Sequence, residues 1–255
     1  MTISRLTPLA AIAVALVSAC NVSDHQNPTA PAGTGNVRVA QGDPTAGSVD
    51  VYLDATKILT AFPFGGDTNI AAIAGGAHTL NIFATGTTGT PALSQGIVVS
   101  NAQSYDMVIA GGTAGGLSFL GGPNTTASVH IGSNAALRIL NSVDSLDMTP
   151  TDSTWRTVDV TLTGVQTSNT YSFTGLPEFG TSPAAPAGNG TPPGYNAIVP
   201  DQYTIVVTST LFPADTAAAI SLSLGTGQAR TLVISAKSAQ PQTPPATILV
   251  LPDSG

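Results

Sequence analysis

The chain has 255 residues and a net charge of −7, with 8% charged and 5% aromatic side chains, 27 glycines and 19 prolines. That length admits one large domain or two small ones, and with lysine only at Lys57 and Lys237 the surface lacks the cations that nucleic acid or anionic headgroups require. A hydrophobic content of 42% argues against disorder, while abundant Gly and Pro favour short strands and turns over helices.

Met1 to Cys20 reads as an export signal. Arg5 supplies the positive start, and Leu6 to Val17 is an apolar run too short to span a bilayer. The run closes on Val17-Ser18-Ala19-Cys20, which resembles a bacterial lipobox, so residues 1–19 are expected as the signal peptide and Cys20 as the lipidated first residue. Cys20 is the only cysteine, so no internal disulfide competes for it, and its thiolate is the nucleophile that diacylglyceryl transfer needs. Ordinary cleavage after Ala19 is the plainer alternative. Residues 20–35 then form a polar, Pro- and Gly-containing tether. His25 lies in it as solvated linker.

Residues 36–123 carry the first repeat. Val37 and Val39 share one face, Val49, Val51 and Leu53 another, and Arg38, Asp50 and Tyr52 point the opposite way. Pro44 fits a turn that makes Val37 to Leu53 an opening hairpin. Gly75-Gly76 predicts a hairpin between Ile70–Ala74 and His78–Thr85, and Asn101-Ala102 joins Leu93–Ser100 to Ser104–Ala110 as another pair. With Lys57–Ala61 and Leu117–Leu120, the pattern is that of a small antiparallel sandwich.

Residues 124–255 repeat the order with longer connections. Val158–Leu162 answers Val49–Leu53, Tyr203–Val207 answers His78–Ile82, and Gly227–Ile234 answers Ala102–Ile109 without a gap between the last two blocks. Ile248–Leu251 is matched to Leu117–Leu120. Shared spacing over several blocks indicates a repeated fold. The predicted architecture is all-β: two tandem antiparallel Ig-like β-sandwich domains after a signal peptide and a flexible tether.

The series V-R-V, a proline-bearing turn, V-D-V-Y-L-D, F-P-F-G and A-G-G-A-H-T-L-N-I resembles the bacterial repeats catalogued as domain of unknown function 4397. The resemblance implies β-sandwich modules of secreted and surface-anchored proteins, with no established catalytic residues. The family's usual opening has His-Ala-Ser-Pro before the second strand. This chain has Gln41-Gly42-Asp43-Pro44, so no role attached to that histidine transfers.

Distinctive surface chemistry is confined to the second repeat's insertions. Asp144, Asp147 and Asp152 share a loop with hydroxyls of the kind that coordinate Ca²⁺, but their spacing departs from D-x-D-x-D-G and a solvated acidic turn is the preferred reading. Trp155 and Tyr195 are candidate ligand-binding aromatics, with Trp155 as a plug over one end of the sandwich the favoured alternative. His78 heads a strand as a half-buried, hydrogen-bonded residue, and neither it nor His130 has a G-x-S-x-G turn to work with. Glu178 is the sole glutamate, and no zinc-ligand spacing occurs. No enzyme and no cofactor are expected. The reading is a monomeric, non-catalytic, lipid-anchored protein of the bacterial cell envelope, facing periplasm or exterior, that displays two modules to an unknown envelope protein or glycan. The alternatives are a carbohydrate-binding module and, less favoured, a cryptic hydrolase.

Overall fold

Alternating apolar and polar residues make strands, because successive side chains of an extended chain leave on opposite faces. A computed structural model describes residues 33–111, 117–123, 133–143, 157–179, 181–182, 194–236 and 246–253. These residues are all-β, and among them no helix is long and apolar enough to cross a membrane. They belong to one compact unit, Ala32–Gly255.

The first repeat holds β1 (Thr34–Gln41), β2 (Val49–Leu53), β3 (Thr56–Phe62), β4 (Asp67–Ala74), β5 (Gly76–Ala84), β6 (Leu93–Val99), β7 (Ser104–Gly111) and β8 (Leu117–Pro123). The second holds β9 (Ala135–Asn141), β10 (Thr157–Gly164), β11 (Thr170–Pro177), β12 (Thr181–Ser182), β13 (Asn196–Ile198), β14 (Asp201–Ser209), β15 (Thr216–Leu224), β16 (Ala229–Ala236) and β17 (Ala246–Asp253). Four sheets result, in the orders β3-β2-β5-β6, β4-β1-β7-β8, β12-β9-β16-β17 and β11-β10-β14-β15, with β13 also pairing β9. Strand for strand, the second repeat reproduces the first: β9 stands for β1, β10 for β2, β14 for β5, β15 for β6, β16 for β7 and β17 for β8. Each repeat is a two-sheet sandwich.

The connections differ from the hairpins expected. β1 and β2 lie in different sheets, as do β4 and β5, and β6 and β7. Pro44, Gly75-Gly76 and Asn101-Ala102 therefore mark arches that carry the chain from one wall of the sandwich to the other. A turn signal says that the chain reverses, but not whether the next strand pairs with the last or packs across from it. The arches also bring β1 beside β7, and β9 beside β16, in parallel. Intervening strands of the opposite wall supply the long crossover that a parallel pair needs.

Each sandwich has its own core. Val37, Val39, Val51, Leu80, Ile82, Met107 and Ile109 belong to the first, and Leu137, Ile139, Val160, Leu162, Ile205 and Ile234 to the second. A third cluster joins the two repeats: Ala40, Val108, Ala110 and Leu120 pack with Leu140, Val233 and Leu251. The outward faces of β1, β7 and β8 are thus covered by those of β9, β16 and β17. This is why all seven residues of β9 are buried, a pattern of a strand packed on both faces.

Polar residues that the alternation points outward share in this order. Asp50, expected to face outward, is fully buried. Its carboxylate accepts hydrogen bonds from the Ala61 and Gly86 amides and pairs with Lys57 Nζ at 2.7 Å. Asp159, its counterpart on β10, accepts from the Gly175 amide and the Thr210 hydroxyl. Ala61 and Gly175 each sit in the bulge of the following strand, at φ 49 and φ 65. The same carboxylate-held bulge is built twice, once on alanine and once on glycine. Left-handed backbone costs an L-residue about 1–2 kcal/mol, and a Cβ at Gly175 would meet no neighbour. Ala61→Gly is expected to stabilise by up to about 1 kcal/mol and Gly175→Ala to destabilise by about 1 kcal/mol. Thermal unfolding of both variants checks this, and shifts of the same sign would contradict it.

Candidate functional site

His78 lies half-buried at the start of β5, as the alternation suggests. Its Nδ1 stands 2.9 Å from Asp54 Oδ2 and its Nε2 2.8 Å from the Ala74 carbonyl oxygen. Both partners are acceptors, so the geometry is completed only when both ring nitrogens carry protons. Such an imidazole has no free nitrogen with which to act as a general base. The Asp54 hydrogen bond, then that to Ala74, holds the His78 pKa above its ordinary 6.5. The His78 and Thr79 hydrogen bonds hold Asp54 below its ordinary 3.8.

A raised histidine pKa stabilises the fold fully below 6.5 and loses that contribution as pH rises through the folded value. A lowered aspartate pKa contributes above 3.8 and loses it as pH falls through the folded value. The tie is accordingly strongest between about 4 and 6.5. An NMR titration of His78 is expected to give a midpoint above 6.5 that drops in Asp54→Asn. A wild-type midpoint below 6.5 would contradict the assignment.

A buried polar cluster lies between the repeats. Arg38 of β1 reaches Asp253 at 3.0 Å, Asp106 at 3.7 Å and Asp67 at 3.5 Å, and donates to the Pro252 carbonyl. Arg138, its counterpart on β9, is fully buried, pairs with Asp106, and donates through Nε to Thr231 Oγ1 at 3.0 Å. Asp253 accepts from the Tyr195 hydroxyl at 2.9 Å and from Thr231 at 2.8 Å. Burial pushes the Asp106 carboxyl up against the pull of Arg138, and pushes the Tyr195 phenol up as well. Tyr195, expected as a ligand-binding aromatic, is therefore only 6% exposed and has its ring 4.9 Å from the Arg138 guanidinium. The Arg138 guanidinium and packing against Ala136 and Ala229 leave that ring no open face for a sugar. The cluster fastens one repeat to the other.

An open site lies at the other side of the first sandwich. β6 and β8 end their sheets, and a groove of about 410 Å³ runs between them, lined by Gln95, Ile97, Tyr105, Met107, Phe119 and Gly121 among others. Its size falls within the range of ligand sites. Sequence reading missed it, although one signal was present: in Leu93-x-Gln95-x-Ile97 the central inward position is polar.

Cys20, Asp144, Asp147, Asp152, Trp155 and His130 lie outside the described residues. Among the described residues no three His, Cys, Asp or Glu side chains come together as metal ligands.

Residues 35–149 match the family model described as Domain of unknown function (DUF4397), a stretch that runs from the first repeat through β9. None of the curated proteins matches the sequence. Among solved structures, the Bacillus anthracis TIE protein is 10% identical over 80% of this chain and 34% of that one, with a TM-score of 0.25. A candidate cell adhesion protein from Bacteroides ovatus ATCC 8483 is 12% identical over 87% of this chain and 97% of that one, also with a TM-score of 0.25. The chain spans about a third of the length of the first. At that TM-score neither likeness carries an argument.

Proposed function

From a chain whose residues 35–149 match the DUF4397 family model, we propose a non-catalytic, lipid-anchored protein of the bacterial cell envelope that presents two β-sandwich modules to a partner. The observation that carries this reading is the order of the chain: Val17-Ser18-Ala19-Cys20, then a polar tether, then a single compact unit. A second support is the use of the titratable side chains. Asp50, Asp54, Asp159 and Asp201 hold backbone amides of their own repeats, and His78 has both ring nitrogens engaged. Such groups build a scaffold and leave none of them poised for proton transfer.

Anchoring through acyl chains on Cys20 predicts a plain result. Wild-type protein expressed in bacteria should fractionate with membranes, and Cys20→Ser should move to the soluble fraction. Membrane association that Cys20→Ser leaves unchanged would overturn the anchor.

A further inference from the structure

Strand pairing gives a position-by-position map between the repeats. Leu80 and Ile205 stand opposite Leu53 and Leu162, and their outer neighbours are Gln95 and Ile220. Val108 and Val233 stand opposite Ala40 and Leu140, and their outer neighbours are Leu120 and Leu249. It follows that Gln95 occupies the place of Ile220, and Gly121 the place of Val250. In the second repeat Ile220 and Val250 both pack against the core. In the first, Gln95 is exposed and its side-chain amide donates to the neighbouring Gly96 carbonyl, while Gly121 has no side chain to offer.

Gly121 cannot be filled from within. Its φ is 106, and a Cβ would come within 2.1 Å of the Asp106 carbonyl oxygen. The two missing aliphatic side chains leave Ile97, Met107 and Phe119 lining an open groove, where in the second repeat Ile220 and Val250 pack on the core.

We propose that this groove accepts an extended peptide of a partner protein, which lays its backbone along a free strand edge and inserts branched aliphatic side chains where Ile220 and Val250 sit in the second repeat. Two observations choose a peptide over an isolated small molecule. Among the described residues β6 and β8 both have an unpaired edge at the groove, the arrangement that strand addition uses. Gly96, Gly121 and Gly122 lie along those edges and let another backbone approach closely. Val98, 67% exposed, adds an apolar lip. The inference rests on the reading of the modules as partner-binding. Its test uses unanchored protein, so it can fail while the anchor stands, and the reverse.

The full chain carrying Cys20→Ser, isotope-labelled, is titrated with the capped heptapeptide Thr-Val-Thr-Ile-Thr-Val-Thr and followed by NMR. Saturable shifts are expected at Gly96, Ile97, Gly121 and Gly122. Gln95→Ile, which copies the second repeat, is expected to stay folded and to bind at least tenfold more weakly. Gln95→Lys, which puts a charge in the groove, is expected to weaken binding too. The proposal is overturned by any of four results: no saturable shift, binding by either variant equal to that of wild type, equal binding of a Thr/Ser heptapeptide, or equal affinity for capped isoleucine alone.

Discussion

Arg138→Met is expected to lower stability by about 3–5 kcal/mol, and Arg138→Met combined with Asp106→Leu to recover most of that loss. The two side chains are 0% and 2% exposed and pair across the face that joins the repeats. Removing the cation leaves the buried Asp106 carboxylate with only the longer Arg38 pair at 3.7 Å, whereas removing both leaves an apolar contact beside Val108, Leu140 and Val233. Two features indicate that the pair does little for net stability. Burial raises the Asp106 pKa in spite of both arginines, and Arg138 Nη1 has no hydrogen-bond partner among the described residues. A raised carboxyl pKa favours folding while the group is protonated and loses that contribution as pH rises from 3.8 through the folded value. The single variant should therefore suffer more at pH 7 than at pH 4.5. Urea unfolding of the three proteins at both values measures this. A single-variant loss below about 1 kcal/mol, or a double variant no better than the single, would contradict it.

Leu80→Ala is expected to cost about 2–5 kcal/mol, and the loss should be felt in both repeats. Leu80 is fully buried in the first core, on β5, while the second repeat has a separate core. Were the sandwiches independent, the second would keep its stability. They share the cluster of Ala40, Val108, Leu120, Leu140, Val233 and Leu251, together with Arg38, Asp106, Arg138 and Asp253. Unfolding the first repeat would expose that face of the second, including two fully buried apolar side chains, Leu140 and Val233, and a fully buried arginine. NMR signals of the Ile82 and Ile205 methyl groups report the two cores separately. They should vanish at one urea midpoint, lowered equally by Leu80→Ala; survival of the Ile205 signal after loss of Ile82 would contradict the coupling.

Much of this was legible in the residues. Alternation at Val37, Val39, Val49 and Val51 marked the inward faces, and the block matches of His78–Ile82 and Ala102–Ile109 to the second repeat agree with the pairing. The last block did not: pairing places Leu249, not Leu251, in the position of Leu120. A strand has a period of two, so a slip of two residues keeps every side chain on its face and leaves no trace in the pattern. Nor could alternation tell what covers an outward face. Alternation puts Arg38 on an outward face, yet it meets Asp106, which in turn pairs with Arg138 of the facing sheet. The clue lay in runs apolar on both faces, such as Ala135–Asn141 around its single arginine, which a half-solvated strand does not show. The groove was harder to foresee, because it depends on comparing Gln95 with Ile220 and Gly121 with Val250, and that comparison needs the register.

The most direct test of the central claim, that two sandwich repeats form one unit through a buried shared face, is native-state amide exchange on the unmodified protein. The slowest amides of β5 and β14 should open with the same free energy and the same dependence on denaturant. Two distinct plateaus, with β14 still protected when β5 has opened, would show two independent modules and contradict the account.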